Sequence, residues 1–336
     1  MNGGALVRVA LRLAVAALLL WLAVRVALPE GESLGDALRS SWTVPPERIA
    51  ASFATAFTIF GLGYGVGALR FQLLLAAAGV QLGFGALWRG YVVAGFFNLI
   101  LPGAIMGDVY RVVDARQDSG RGSEVLGVLV LERMLGLAAL AVIGLAALPA
   151  VPARNETARL VLPVAAVCGV ILAGCLALLH PRVSSLLARR AARLTGPRGI
   201  VDRIARSLGA LNEASSRPSV VVRASLLSLL TQALPVLAVF ALAVPMESSI
   251  ALPWFAVIVP FVTLATLVPI SIGGTGVREI LFVALFGAVG MDRGMALSLS
   301  LSTLAVALGW GAVGLAVFTW GRSARLDAGV PSDSLR

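Results

Sequence analysis

Six uninterrupted apolar runs dominate this sequence, at about Ala5–Leu28, Ile49–Arg70, Ser123–Pro149, Leu160–His180, Val220–Val244 and Met295–Trp320. A hydrocarbon core about 30 Å thick is crossed by roughly 20 helical residues, so each run is long enough for a transmembrane helix. Strands of alternating apolar and polar residues are missing, which argues against a membrane β-barrel. The composition agrees: 59% of the residues are hydrophobic, 13% are charged and the mean hydropathy is +0.94, far from an ordinary soluble domain. The first run carries Arg8 and Arg12 ahead of its apolar core, as a signal peptide does. It is too long and lacks a small-residue cleavage site, so it reads as an uncleaved first helix.

The formal net charge is +10, and every basic residue is an arginine. The arginines gather between the apolar runs, where they set membrane orientation and meet anionic lipids, so no nucleic-acid partner is expected. "HPRVSSLLARRAARLTGPRGIVDRIARSLGALNEASSRPS" carries eight arginines against one Asp and one Glu and reads as cytoplasmic. Its helical apolar spacing suits an amphipathic linker over about 181–219 lying on the membrane surface, with a solvated loop as the alternative. "PEGESLGDALRSSWTVPPE", with Glu30, Glu32, Asp36 and Glu47, belongs outside. Cys168 and Cys175 stand seven positions apart in one run, a geometry that excludes a disulfide between them within one helix. The single histidine, His180, has no ligand cluster around it; neither a metal nor a cofactor is expected.

Two further apolar regions, about Trp88–Tyr110 and Pro253–Gly290, are interrupted by Pro and Gly. With a cytoplasmic N-terminus, the second helix returns near Arg70 and the helix from Ser123 must exit again. Everything from Arg89 to Arg121 then starts and ends on the cytoplasmic side, so its apolar middle must dip in and return. In the second half the same bookkeeping starts and ends Pro253–Gly290 outside and leaves the C-terminus cytoplasmic. The expected fold is all-α: six full crossings plus two re-entrant helical hairpins. It forms a single transmembrane domain over 1–336, with halves at about 5–149 and 159–320.

The two interruptions share a template. Pro102, Gly107 and Arg111 recur as Pro269, Gly274 and Arg278 at one constant interval, 102 to 269, 107 to 274 and 111 to 278. A shared motif in halves of opposite orientation is the mark of an inverted repeat. Pro102, Gly103 and Gly107 are the expected turn of the first hairpin, and Pro269, Gly273, Gly274 and Gly276 that of the second. Breaking a helix at membrane depth frees backbone groups, which is tolerated only inside protein or around a water-filled cavity. Helix ends and the guanidinium forks of Arg111 and Arg278 would bind a phosphate there. Buried arginine needs partners, since even the lenient insertion scales put an unpaired one at about 2.5–3.5 kcal/mol. Asp108 precedes Arg111 by one helical turn and Glu279 adjoins Arg278. Glu132 and Arg133 lie inside a crossing, with Arg111 or Arg278 expected to pair with Glu132, and Asp108 or Glu279 with Arg133. Asn98 supplies an amide to the same cavity or caps the turn. Two readings stand for this network: a ligand site, or ion pairs that only hold the hairpins in place. The glycines of "GLGYGVGALR" fit close helix packing and no phosphate loop, and no nucleotide motif is present.

"FFNLILPGAIMGDVYRVV", "VLVLERMLGL" and "VPISIGGTGVREILF" resemble, in this order, the signature segments of the lysylphosphatidylglycerol synthase transmembrane-region family of flippase-like proteins. The resemblance spans about 5–320 and implies an α-helical protein of the cytoplasmic membrane that moves lipids. In larger relatives a separate soluble domain performs aminoacyl transfer; this chain ends at Arg336 without it, so no enzymatic activity is expected. The implied partners are membrane lipids with an anionic headgroup, phospholipid or isoprenoid-linked. A second copy of the chain in a homodimer and a separate lipid-synthesising enzyme are further expected partners. A membrane enzyme using Asp108, Glu132 or Glu279 as acid or base, and a scaffold recruiting partners through its arginine-rich loop, are the competing functions.

Overall fold

The computed structural model describes residues 3–28, 33–42, 44–101, 106–152, 155–179, 183, 217–268 and 273–327, with the backbone alone for 3–13, 155–160, 179 and 322–327. Within these residues the chain forms eleven α-helices and no strand. They are α1 (Gly3–Ala27), α2 (Leu34–Ser40), α3 (Pro46–Ala77), α4 (Phe84–Ile100), α5 (Met106–Ser119) and α6 (Gly122–Ala147). After these come α7 (Asn155–Leu179), α8 (Pro218–Ala243), α9 (Leu252–Thr266), α10 (Val277–Ala288) and α11 (Arg293–Asp327). Pro102, Gly103, Pro269, His180 and nearly all of the arginine-rich linker lie outside the described residues.

Five helices are long and apolar enough to cross a membrane: α3, α6, α7, α8 and α11. The sixth expected crossing, α1, has 25 residues, of which Ala14–Ala27 make up its apolar stretch. The apolar runs understate the long helices. α3 continues through Arg70 to Ala77, where Gly79 at φ +76° lets the Val80 N–H reach the Leu75 carbonyl and close the helix in a Schellman motif. Arg70 is therefore inside a helix, not at its end.

Both interrupted regions fold back on themselves. On α5, Gly107 sits beside Ala94 and Asn98 of α4, Tyr110 packs on Phe97 at 5.1 Å, and Asp114 lies beside Gly90. On α10, Phe286 packs on Phe255 of α9 at 4.9 Å, while Gly274 touches Thr266. At the tip of the second hairpin Gly273, Gly274 and Gly276 all have positive φ, between +60° and +87°, a conformation that side chains resist. Gly107 is different: it lies in the first turn of α5, where a Cβ would stand 2.5 Å from the Ala94 carbonyl oxygen.

The hairpins are clasped by the long helices. α4 lies along α11, and α9 lies along α6. Between them α3 and α8 run antiparallel, with Arg70 near the end of α3 bonded to Ser228 near the start of α8. Gly61 and Gly67 receive the rings of Trp310 and Tyr91, which pins α3 to α11 and α4. One apolar core surrounds Phe255, Ile258 and Phe286; a second gathers Phe71, Leu74, Leu75 and Leu131. Large apolar side chains such as Leu162, Val170 and Leu226 point outward, the arrangement suited to lipid. Cohesion then comes from close packing and polar contacts, since moving apolar surface from lipid to protein gains little.

Candidate functional site

The centre of the bundle holds an ionic network with a carboxylate at its heart. Glu132, ten residues into α6 and only 2% exposed, sits about 15 Å along that helix. Its Oε1 accepts from Arg70 Nη2 of α3 at 2.6 Å, and its Oε2 from Arg111 Nη2 of α5 at 2.6 Å. The Tyr91 hydroxyl of α4 also donates to Oε1. Glu132 thus joins four helices, and its burial is tolerated because three donors, two of them cationic, meet its oxygens. Arg70 reaches further, through Nη1 to Ser228 Oγ at 3.0 Å, and ties α8 to the network.

Arg111 is buried as deeply as Arg70. Its guanidinium carbon lies 3.8 Å from the Tyr91 ring centroid and 4.4 Å from that of Phe71, over two rings that stand edge to face at 71°. Its Nη1 meets Asp108 Oδ1 at 3.3 Å, one turn back on α5. Asp108 in turn holds Arg133, whose Nε donates to Oδ2 at 2.6 Å and whose Nη2 pairs with the same oxygen. Adjacent on α6, Glu132 and Arg133 diverge: the first is buried, whereas the Arg133 side chain is 43% exposed. The Nε atoms of Arg70 and Arg111 are buried without a hydrogen-bond partner.

The second hairpin supplies a smaller counterpart. Glu279, fully buried, accepts from Arg278 Nη2 at 2.6 Å and Nε at 3.1 Å, from the Gly276 backbone N–H, and from Ser300 Oγ at 3.4 Å. Arg278 is therefore fixed by its own neighbour at the start of α10. At the first hairpin Asn98 Oδ1 accepts from the Gly107 N–H at 2.9 Å and bridges the break.

The charged groups of this network other than Glu279 face one hollow of about 420 Å³. Its wall includes Asn98, Leu99, Asp108 and Arg111 from the first hairpin, Gly273, Gly274 and Arg278 from the second, and Arg70, Glu132 and Arg133. Four arginines against two carboxylates line it; with Glu279 held behind Arg278 the network keeps a formal charge of +1, so the wall is cationic. The first turns of α5 and α10 each contribute a wall residue, Asp108 and Arg278. A roomier hollow of about 670 Å³ beneath α2 is lined by exposed Asp292 and Arg293 and has no buried ion pair, which makes the central one the candidate site.

Of the residues singled out from sequence, Arg111, Asp108, Glu132 and Arg133 join one network, while Arg278 and Glu279 pair with each other. Asn98, Gly273 and Gly274 line the cavity, and Gly276 anchors Glu279. Arg278, one expected partner for Glu132, is replaced in that role by Arg70. Arg70, Tyr91, Ser228 and Gln232 are the wall and network members that sequence reasoning missed. Arg70 carried a usable signal: an arginine preceded by an apolar run and followed by "FQLLLAAA" can lie within a single longer helix.

Such an architecture, with five spanning helices, two folded-back hairpins and a charged interior, defines a multi-pass helical membrane protein with a polar centre. Residues 9–320 match the family described as "Lysylphosphatidylglycerol synthase TM region". The chain belongs to that family. Comparison with curated proteins and with solved structures returned no match.

Proposed function

We propose that this protein binds the anionic headgroup of a membrane lipid in the central cavity and carries it between the leaflets. The observation that carries the reading is the excess of arginine on a wall built by both hairpins, with Arg111 and Arg278 contributed one from each. A phosphate or phosphodiester offers the acceptor oxygens that guanidinium groups and helix N-termini bind best. The family description, which names a lipid synthase, supports a lipid as the ligand.

The same reading makes the folded-back pairs re-entrant hairpins that enter from opposite faces of the cytoplasmic membrane, with both termini in the cytoplasm. An inverted repeat underlies it. Exchanging α3–α6 with α8–α11 maps the α4–α11 contact onto the α9–α6 contact and α3 onto its antiparallel partner α8, as a two-fold axis in the membrane plane would. Movement then follows alternating access, the two halves rocking around the cavity.

The test is a dithionite or back-extraction flipping assay in reconstituted vesicles. Arg111→Ala and Arg278→Ala each abolish movement of anionic lipid while the purified variants keep a monodisperse elution profile. Undiminished rates in both variants overturn the proposal. Mass spectrometry of the same vesicles separates the competing activity, since an enzyme alters lipid structure and a translocator alters only sidedness.

A further inference from the structure

The grip on Arg111 is unequal. Its Nη2 is bound to Glu132 at 2.6 Å, and Glu132 is held independently by Arg70 at 2.6 Å and by the Tyr91 hydroxyl. Its Nη1 reaches Asp108 only at 3.3 Å, and Asp108 has a closer and two-fold hold on Arg133 through its other oxygen. Charge-assisted bonds of guanidinium to an anionic oxygen settle at about 2.7–2.9 Å, so the Arg111–Asp108 contact is the loosest in the network. Arg133 is also its most exposed cation, with a side chain 43% exposed on the cavity wall.

We propose that Asp108 is a built-in competitor for the headgroup. It occupies the Nη1 position of Arg111 that an incoming phosphate oxygen needs, and it yields that position while keeping Arg133. This deepens the headgroup reading and rests on it. Glu132 stays in place as the fixed anchor, because losing it would strand Arg70 and Arg111 together. Asp108 can leave Arg111 without becoming an unpaired buried charge, because Arg133 still holds it, and it gives up the longer of the two bonds on Arg111. The arrangement confers selectivity as well as release. A neutral headgroup cannot replace a carboxylate at Arg111, whereas an anionic phosphate can, and the returning carboxylate expels the headgroup afterwards. An aspartate that looks like part of the binding set therefore opposes binding.

The experiment titrates the purified full-length protein, in discs of zwitterionic lipid, with a fluorescent short-chain phosphatidylglycerol. Asp108→Asn, which keeps the shape and removes the charge, is expected to tighten binding on the order of tenfold, the equivalent of one unit of charge coupling. The same variant slows flipping in vesicles, because release loses its competitor. Asp108→Glu restores weak binding and rapid release. Arg133→Gln weakens binding more in the wild-type background, where it also drives Asp108 onto Arg111, than in the Asp108→Asn background, where only its own charge is lost. That double-variant cycle also decides the matter if Asp108→Asn alone proves poorly folded, since Asp108→Ser can replace it. Unchanged or weaker binding in the neutral variants, with wild-type binding still lost in Arg111→Ala, overturns the role of Asp108. Wild-type binding that ignores Arg111 overturns the headgroup reading beneath it. Equal affinity for glycerol 3-phosphate, a free phosphate ester, moves the ligand from lipid to soluble phosphate and overturns the lipid part alone.

Discussion

Gly273 rests against Leu99: a Cβ on Gly273 would stand 3.2 Å from the Leu99 carbonyl oxygen and 3.6 Å from its Cα, so the tips of the two hairpins touch. At φ +60° the position also penalises any side chain. Gly273→Ala combines left-handed strain of about 1–2 kcal/mol with a crowded tip contact. It is expected to lower the melting temperature in detergent and to reduce flipping. Gly63→Ala, in the interior of α3 with open space around its Cα, serves as the control: it leaves flipping unchanged and does not lower the melting temperature, since alanine is the better helix former.

Removing the carboxylate at the centre is the severest change. Glu132→Ala leaves Arg70 and Arg111 buried without their shared partner, a loss of about 3–5 kcal/mol for a broken buried pair. Thermal unfolding followed by tryptophan fluorescence should show the largest drop of any single substitution in the network. Glu132→Gln retains acceptor capacity and falls between that variant and the wild type.

Tyr91 contributes in two separable ways. Tyr91→Phe keeps the ring over Arg111 and removes the hydroxyl bond to the Glu132 carboxylate, with an expected loss of about 1.5–3 kcal/mol. Tyr91→Leu removes both and costs more, since a desolvated cation–π contact is worth about 2 kcal/mol. Denaturation of the pair resolves the difference, and equal stabilities would show that the ring over Arg111 contributes nothing.

Gly107 sets the spacing of the first hairpin. A Cβ there would stand 2.5 Å from the Ala94 carbonyl oxygen and 2.7 Å from Asn98 Oδ1. Gly107→Ala forces α5 away from α4 and breaks the Asn98 bridge, an overpacking cost of about 1–3 kcal/mol. Because Asp108 and Arg111 ride on α5, headgroup binding should weaken along with stability. Asn98→Ala loses only the bridge and should weaken binding less.

Much of this architecture can be read directly from the chain. Apolar run length marks the spanning helices because a continuous apolar run in lipid can satisfy its backbone within itself only as a helix, and glycine clusters such as Gly273–Gly276 mark the tip because few residues adopt its dihedrals. The Asp108–Arg111 pair follows from helical spacing alone. The partners of Glu132 are harder. Arg111 was one of two expected candidates, but Arg70 and Tyr91 come from α3 and α4, and no local pattern says which faces of separate helices meet. An apolar run that ends at Arg70 makes it read as an interfacial arginine, whereas apolar residues resume at once and carry α3 on to Ala77. Ser228 and Gln232 lie in an ordinary apolar helix, and only the antiparallel packing of α3 on α8 gives them a place at the site.

Native mass spectrometry of the protein purified in lipid discs tests the central claim most directly. Wild type is expected to retain an anionic lipid that is lost from the Arg111→Ala/Arg278→Ala double variant, with the fold intact by circular dichroism. The same anionic lipid retained equally by both proteins would contradict a headgroup site between the two hairpins.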